Sequence, residues 1–248
     1  MAHDSRYRAY NVRGGLEHED DISEYFSLAC PADSRLWRFM NSGDEFSAPM
    51  LLTSTDRSFD LLEVTVSAPF EETFDQAGIV IFCDMSPEEP WISPTSPQGR
   101  RRRRMHSERE HTGKWAKASL QQTSDGTLGL ATVITHPNGW PDQSFAAITF
   151  DTSAHVGFQL HKTSLRIKFE RVNDALWVWY RMPESFSTGQ LYPEQVSNQY
   201  TKAREVGGFF AGSTAKSRVM VGCYASRPLE NEKEFEAEFE ALDIFPGS

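Results

Sequence analysis

Hydrophobic and polar residues alternate with a period of two through much of this chain, most cleanly from Thr163 to Met182, TSLRIKFERVNDALWVWYRM. Leu165, Ile167 and Phe169 alternate with Arg166, Lys168 and Glu170. Asn173-Asp174 supplies a two-residue turn, after which Leu176, Val178 and Tyr180 alternate with Trp177, Trp179 and Arg181. The pattern predicts a β-hairpin and its register. Phe169 falls opposite Val178 and Ile167 opposite Tyr180 on an apolar face that should lie on a core. On the other face Glu170 falls opposite Trp177, Lys168 opposite Trp179, and Arg166 opposite Arg181. That last pair repels unless an acid, a ligand or solvent separates the two guanidinium groups. Two tryptophans among charges suit a sheet that stacks on a sugar or another flat ligand, and equally suit an outer face sheltered by a loop.

The same period predicts the other elements. Leu36-Trp37-Arg38, Leu51-Leu52-Thr53 and Phe59 to Ala68 read as successive strands, the last with Leu62, Val64 and Val66 on one face. Gln76 to Phe82 and Val219 to Tyr224 are unbroken apolar runs too short for helices, so they should be strands buried on both faces. Trp115 to Gln121 places Trp115, Lys117 and Ser119 on one face, and Leu128 to Thr135 follows a turn at Gly126. Phe145 to Phe150 resumes a strand after the turn His136-Pro137-Asn138-Gly139. Arg204-Glu205-Val206 leads into a glycine-rich bend. Phe235 to Ile244 fits helix or strand, and the alternation of Phe235, Ala237 and Phe239 with glutamates favours strand. About a dozen short strands without sustained helical periodicity predict an all-β fold, a jelly-roll β-sandwich of two antiparallel sheets.

Two stretches fall outside this pattern. Residues 1–24 are polar and end in Glu17, Glu19, Asp20, Asp21 and Glu24, which reads as a partly ordered lead-in to a single domain over residues 25–248. Residues 86–113 hold Pro87, Pro90, Pro94 and Pro97, then Arg100 to Arg104 in succession. Like charges in a row repel and do not pack, so an exposed insertion is expected. It also offers a basic clamp for phosphate, for an acidic protein partner or for the acidic N-terminal tail, and it sets Ser107 in a context a kinase could read.

Composition narrows the classes. Of 248 residues, 39% are hydrophobic and 12% aromatic, enough for a substantial core. A formal net charge of -10 argues against nucleic-acid binding, which relies on clustered positive charge. Three distant cysteines, Cys30, Cys83 and Cys223, form no CxxC pair and no disulfide framework. Neither a signal-like apolar core at the N-terminus nor a long apolar run is found, so a cytoplasmic protein with reduced thiols and no membrane contact is expected. Nucleotide, phosphate-loop, zinc-protease and serine-hydrolase motifs are missing, and no cofactor is expected. His106 and His111 sit beside the arginine run, which would repel a divalent cation, so no metal site is expected either.

Candidate chemistry comes from residues brought together by strands. The ExDxxE signature of retaining glucanases is missing; Glu238-x-Glu240-x-x-Asp243 is the nearest string and suits a solvated face. A different set is Trp115 with Lys117, Trp140 with Asp142, and Arg204 with Glu205. Each pair also has a plain reading, in which Lys117 is solvated, Asp142 caps a turn, and Arg204 and Glu205 form a surface ion pair. Together with Gln76, Trp177 and Trp179 they would line one concave sheet. There the tryptophans would stack on a carbohydrate-like or other small metabolite, with Lys117, Asp142 and Arg204 as polar anchors. The alternative is a cofactor-independent isomerase, cyclase or hydrolase of a fungal metabolic pathway. It would use Asp142 or Glu205 as base, with Lys117 or Arg204 stabilising developing negative charge. A third reading is a regulatory interaction module acting through Arg100 to Arg104.

The ordered set LWRF near Leu36, FSAPMLLTS from Phe46, FDQAGIVIF from Phe74, KWAKASLQ from Lys114, TVITHPNGWPDQS from Thr132, LRIKFERVNDALWVWY from Leu165, REVGGFF from Arg204, VGCYASRP from Val221 and FEAEFEALDI from Phe235 carries a resemblance. It resembles a family of unknown function, found in fungi and bacteria, that includes the yeast regulation of enolase protein. The likeness spans most of residues 26–245 and implies the concanavalin A-like lectin/glucanase sandwich. It implies a fold more than an activity, because that sandwich hosts lectins, glucanases and non-catalytic modules. Two departures stand out. The family has a short connection where residues 86–113 lie, and it commonly carries Glu where Gln121 stands, which argues against catalysis at that position.

Overall fold

Fifteen strands and no helix occur among the described residues of this computed structural model, which are residues 7–13, 22–55, 59–88, 113–137, 139–149, 162–182, 199–211, 219–229 and 233–246. In chain order they are β1 (Arg8–Tyr10), β2 (Tyr25–Cys30), β3 (Leu36–Phe39), β4 (Gly43–Phe46), β5 (Met50–Thr55), β6 (Phe59–Ala68), β7 (Gln76–Cys83) and β8 (Lys114–Gln122). There follow β9 (Leu128–Ile134), β10 (Asp142–Ala147), β11 (Thr163–Val172), β12 (Ala175–Arg181), β13 (Thr201–Val206), β14 (Val219–Ser226) and β15 (Phe235–Pro246). They form a seven-stranded sheet in the order β1-β5-β14-β7-β8-β9-β10, a six-stranded sheet in the order β13-β12-β11-β6-β15-β2, and the small hairpin β3-β4. The strand pairings are antiparallel, and the two large sheets stack as a sandwich, the predicted fold class.

Alternation explains the layering. Leu51, Ile79, Ile81, Ala118, Leu120, Val221 and Cys223 of the seven-stranded sheet meet Phe26, Leu28, Val64, Ile167, Phe169, Val178 and Phe239 of the six-stranded sheet in one core. The rings of Phe26 and Phe239 stack within it, with centroids 4.8 Å apart. β7 and β14 are buried along their whole length because a second apolar layer covers their other face. There Val80, Phe82, Trp115, Val133, Met220 and Tyr224 pack under Leu36, Trp37 and Phe46 of the β3-β4 hairpin. That second layer is what the unbroken apolar runs report.

The β11-β12 hairpin has the predicted register, with Glu170 opposite Trp177 and Arg166 opposite Arg181. An acid separates the two arginines. Arg166 donates to Glu63 of β6 at 2.8 Å and to Asp243 of β15 at 3.2 Å, while Arg181 lies over the ring of Tyr200 at 5.2 Å. Burial pushes the Glu63 carboxyl up, but hydrogen bonds from Arg166 and Tyr200 outweigh it and hold the group below its ordinary range.

Three elements differ from expectation. Arg8–Tyr10, in the expected lead-in, pairs with β5 as the edge of the seven-stranded sheet, because Tyr10 supplies an aromatic anchor for the second layer. The polar string Gly43–Phe46 becomes β4 because it closes a hairpin on β3, with Gly43 at φ 115° allowing the turn. β10 begins at Asp142, three residues earlier than expected, since Asp142 pairs with Ile134. The three cysteines are buried and free. Burial raises their thiol pKa values, to about 11 for Cys30 and about 12 for Cys83, and upward for Cys223 as well. No helix among the described residues is long and apolar enough to cross a membrane. Arg100 to Arg104, Ser107, His106 and His111 lie outside the described residues.

Candidate functional site

Cross-strand pairing in the β3-β4 hairpin places Arg38 against Asp44, and both side chains point into the seven-stranded sheet. The guanidinium donates to both Asp44 oxygens, at 2.7 and 2.9 Å, and to the carbonyl of His136 at 2.7 Å. The indole of Trp115 donates to the same carboxylate at 3.1 Å. A buried, fully hydrogen-bonded charge pair of this kind fixes how the hairpin sits on the sheet. Trp115 is thereby enclosed between Phe46 and the sheet, so its ring faces are not open to a ligand.

Next to this clamp lies a polar nest. Alternation along β7, β8 and β14 turns Gln76, Lys117, Ser119, Gln121 and Tyr224 onto one face, away from the main core. Register sets Gln76 beside Gln121, and Gly78 between Ser119 and Tyr224. Gly78 and Gly222 hold the neighbouring strands close here; a Cβ at either would fall inside the backbone of the adjacent strand. Lys117 is only 2% exposed. Its ammonium donates to Gln76 Oε1 at 2.7 Å and to the Leu36 carbonyl at 2.8 Å, with the rings of Trp37 and Tyr224 5.5 and 5.3 Å away. Tyr224 donates to the same Gln76 oxygen at 2.9 Å. Burial alone lowers the Lys117 pKa to about 7, and burial pushes the Tyr224 phenol far up.

Hydrogen-bonding capacity in this nest is incompletely used. Ser119 Oγ is buried beside the Tyr224 phenol, close enough to oppose the upward push of burial on that group but without a hydrogen bond of good geometry, and Gln121 makes no side-chain hydrogen bond among the described residues. Lys117, when protonated, has two acceptors for three N–H groups among the described residues. Gln76 and Gln121, each 6% exposed, are the rim of the nest, and Trp37 covers Lys117 from the hairpin side. The arrangement gathers a cation, a hydroxyl, two amides and a phenol on one face of the sheet.

The other candidate residues lie elsewhere, so the expected convergence on one sheet does not occur. Trp177 and Trp179 belong to β12 and face outward from the six-stranded sheet, on the opposite side of the sandwich from Lys117. Their partners Leu176 and Val178 take the core positions, and alternation sends the tryptophans out. Lys202 lies over Trp177 at 4.1 Å and Lys168 over Trp179 at 5.1 Å, so cations already cover ring faces that a sugar would need. Their indole N–H groups are shielded from solvent without partners among the described residues. Asp142 and Arg204 pair with each other across the two sheet edges, β10 and β13, and Arg204 also donates to Ser144 at 3.2 Å. Glu205 pairs with Lys202 at 3.0 Å on the surface. Trp140, 72% exposed, lies on the loop before β10. Asp142, Glu205 and Lys117 therefore form no joint acid–base set. A register shift between Glu240 and Asp243 separates the glucanase-like string, and Glu238 and Asp243 are paired with Lys162 and Arg166. Among the described residues, no group of three or more His, Cys, Asp or Glu side chains is placed to hold a metal ion.

Tyr224 and Trp37 were missed as site residues. Tyr224 follows Cys223 in a run buried on both faces, and the apolar run hides which of its residues face the second layer. Alternation places Ser119 on the face of Lys117; the structure adds that its hydroxyl lies beside the Tyr224 phenol.

Two stacked antiparallel sheets define an all-β sandwich of a kind seen in several solved structures. The chain belongs to the DUF1349 family of proteins of unknown function, which it matches over residues 17–246. A functionally unknown protein from Saccharomyces cerevisiae superposes with a TM-score of 0.63 at 16% identity, over 98% of each chain. A mutant of the GH43 protein BlXynB from Bacillus licheniformis superposes at 0.52 and 12% identity, over 90% of this chain and 33% of that one. An alginate lyase from Klebsiella pneumoniae superposes at 0.50 and 10% identity, over 90% and 82% of the two chains. At these identities the likeness is one of fold. No curated protein matches the sequence.

Proposed function

We propose that this protein binds a small, hydroxyl-rich, carbohydrate-like ligand in the nest of Gln76, Lys117, Ser119, Gln121 and Tyr224. One observation carries the reading: a buried ammonium, Lys117, held by neutral acceptors beside Ser119 and Gln121, whose side chains make no hydrogen bond of good geometry among the described residues, in a layer otherwise filled by Val80, Phe82, Val133 and Met220. Protein interiors satisfy nearly all buried polar groups, and an orphan costs about 1–3 kcal/mol, so unused groups in one place suit a ligand that completes them. A cluster serving only to hold the hairpin would need the Lys117 bond to Leu36 and nothing from Ser119 or Gln121. The fold relatives named as a GH43 protein and an alginate lyase are in keeping with such a ligand without identifying it.

The test is a thermal-shift and calorimetric screen against neutral sugars, sugar acids and sugar phosphates, with Gln121→Leu beside the wild type. Ligand well above its dissociation constant should stabilise the wild type by a few kcal/mol. In Gln121→Leu the affinity should fall at least tenfold while the unliganded stability stays within about 1 kcal/mol, because a rim side chain without partners among the described residues is being replaced. A ligand that binds Gln121→Leu and Ser119→Ala as tightly as wild type would place the site elsewhere.

A further inference from the structure

We infer that the ligand carries one carboxylate that serves as counter-ion to Lys117, so that the class bound is a sugar acid or similar hydroxycarboxylate; this rests on the nest being the binding site. Each of the three buried arginines meets an acid: Arg38 meets Asp44 at 2.7 Å, Arg166 meets Glu63 at 2.8 Å and Arg227 meets Asp75 at 2.6 Å. Among the described residues the two buried lysines meet neutral acceptors instead: Lys114, 7% exposed, the Ala211 carbonyl at 3.5 Å, and Lys117, deeper at 2%, the Leu36 carbonyl and the Gln76 amide oxygen. Burial without an acid is what depresses the proton affinity of Lys117.

Among the described residues, no charged side chain bonds to Lys117. Val80 and Val133 flank Lys117 on the adjoining strands, Trp37 covers it, and Tyr224 across the nest is held neutral by burial. On the hairpin, Arg38 is paired with Asp44, and Glu45, opposite Trp37, is paired with Arg35. Buried cations are normally paired, and an unpaired one costs several kcal/mol relative to an apolar side chain of the same volume. Methionine would fill this position among Val80, Val133 and Trp37. The lysine is therefore accounted for by a negative charge that arrives with the ligand.

The donors around it define that charge. One ammonium balances one carboxylate, and the Gln121 amide N–H, with the Ser119 hydroxyl turned from Tyr224, can donate to its oxygens. The Gln121 carbonyl and the Tyr224 oxygen then remain for ligand hydroxyls. A phosphate monoester, close to a dianion at neutral pH, would want a second cation, and the nest has none.

Binding such an anion restores the lysine's proton. Affinity should therefore fall as pH rises through about 7, by about 30-fold between about pH 6 and pH 8.5 for one linked proton. The experiment is calorimetry of the full chain with D-glucuronate, D-gluconate, D-glucose and glucose 6-phosphate at those two pH values, repeated in buffers of different ionisation heat to count protons. The expected result is binding of at least one of the two acids over glucose by tenfold or more. That binding should weaken at high pH and take up close to one proton at about pH 8.5, with the preference and the proton uptake lost in Lys117→Met. Equal binding of glucose and the acids without pH dependence would overturn the counter-ion and leave the nest as the site. Binding of glucose 6-phosphate alone would overturn the carboxylate. Binding of none of the four would overturn both readings. Should Lys117→Met fail to fold, the acid-to-neutral ratio and the proton count of the wild type decide the matter.

Discussion

Lys117 is the residue whose placement has the most consequences, beginning with stability. In the native state its pKa is lowered to about 7, against an ordinary 10.5. Below about pH 7 the amine is protonated in both native and unfolded chains, and burial of the charge counts against folding. Between about 7 and 10.5 the unfolded chain holds the extra proton, so stability rises with pH and the penalty is progressively relieved, by up to about 5 kcal/mol. Lys117→Met should remove this rise. Urea unfolding of both proteins at a series of pH values isolates it, since other titrations cancel in the difference; equal slopes would mean that the amine stays charged. The cysteines behave more simply. Buried thiols with raised pKa values should resist iodoacetamide in the native protein at about pH 8, and unfolding should expose all three. Rapid labelling of the native chain would contradict their burial.

At the scale of elements, β14 shows why backbone fit matters as much as apolar content. Gly222 lies between β5 and β7, and a Cβ there would fall within the Leu51 carbonyl. Gly222→Ala should cost several kcal/mol in chemical denaturation, beyond the usual Gly-to-Ala change in a strand, because the obstruction is backbone and cannot rotate away. A change under about 1 kcal/mol would show that the strands can part. Elements whose own side chains carry the period were readable in advance: β6, β7 and the β11-β12 hairpin with its register all follow from alternation and the Asn173-Asp174 turn. β4 and β1 were not, because GDEF and RAY carry little apolar signal and become strands only by pairing with β3 and β5. The site divides the same way. Gln76 and Lys117 were expected to share a face with Trp177 and Trp179, since period two says which way a side chain faces. It does not say which sheet a strand joins, and that hid the separation of Lys117 from Trp177 and Trp179.

For the whole molecule, sheet order decides which charged pairs matter. Asp142 and Arg204 join β10 to β13, the facing edges of the two sheets, where Asp142 remains largely open to water. Screening limits such a pair, so Asp142→Asn should cost less than about 1 kcal/mol. Asp75 and Arg227 lie at the other extreme. Their bidentate pair is buried, and the same guanidinium holds the Lys233 carbonyl, tying the entry to β7, the exit from β14 and the approach to β15 into one joint. Asp75→Asn leaves Arg227 buried without its counter-ion and should cost about 3–5 kcal/mol. Run together in urea denaturation and ligand titration, the two variants separate architecture from binding. Asp142→Asn should keep both stability and ligand affinity, because its carboxylate lies between the sheet edges and Lys117 lies on the outer side of one sheet. A loss of affinity in Asp142→Asn with stability intact would move the binding site from the nest to the β10-β13 edge, and with it the identity of the groups that recognise the ligand.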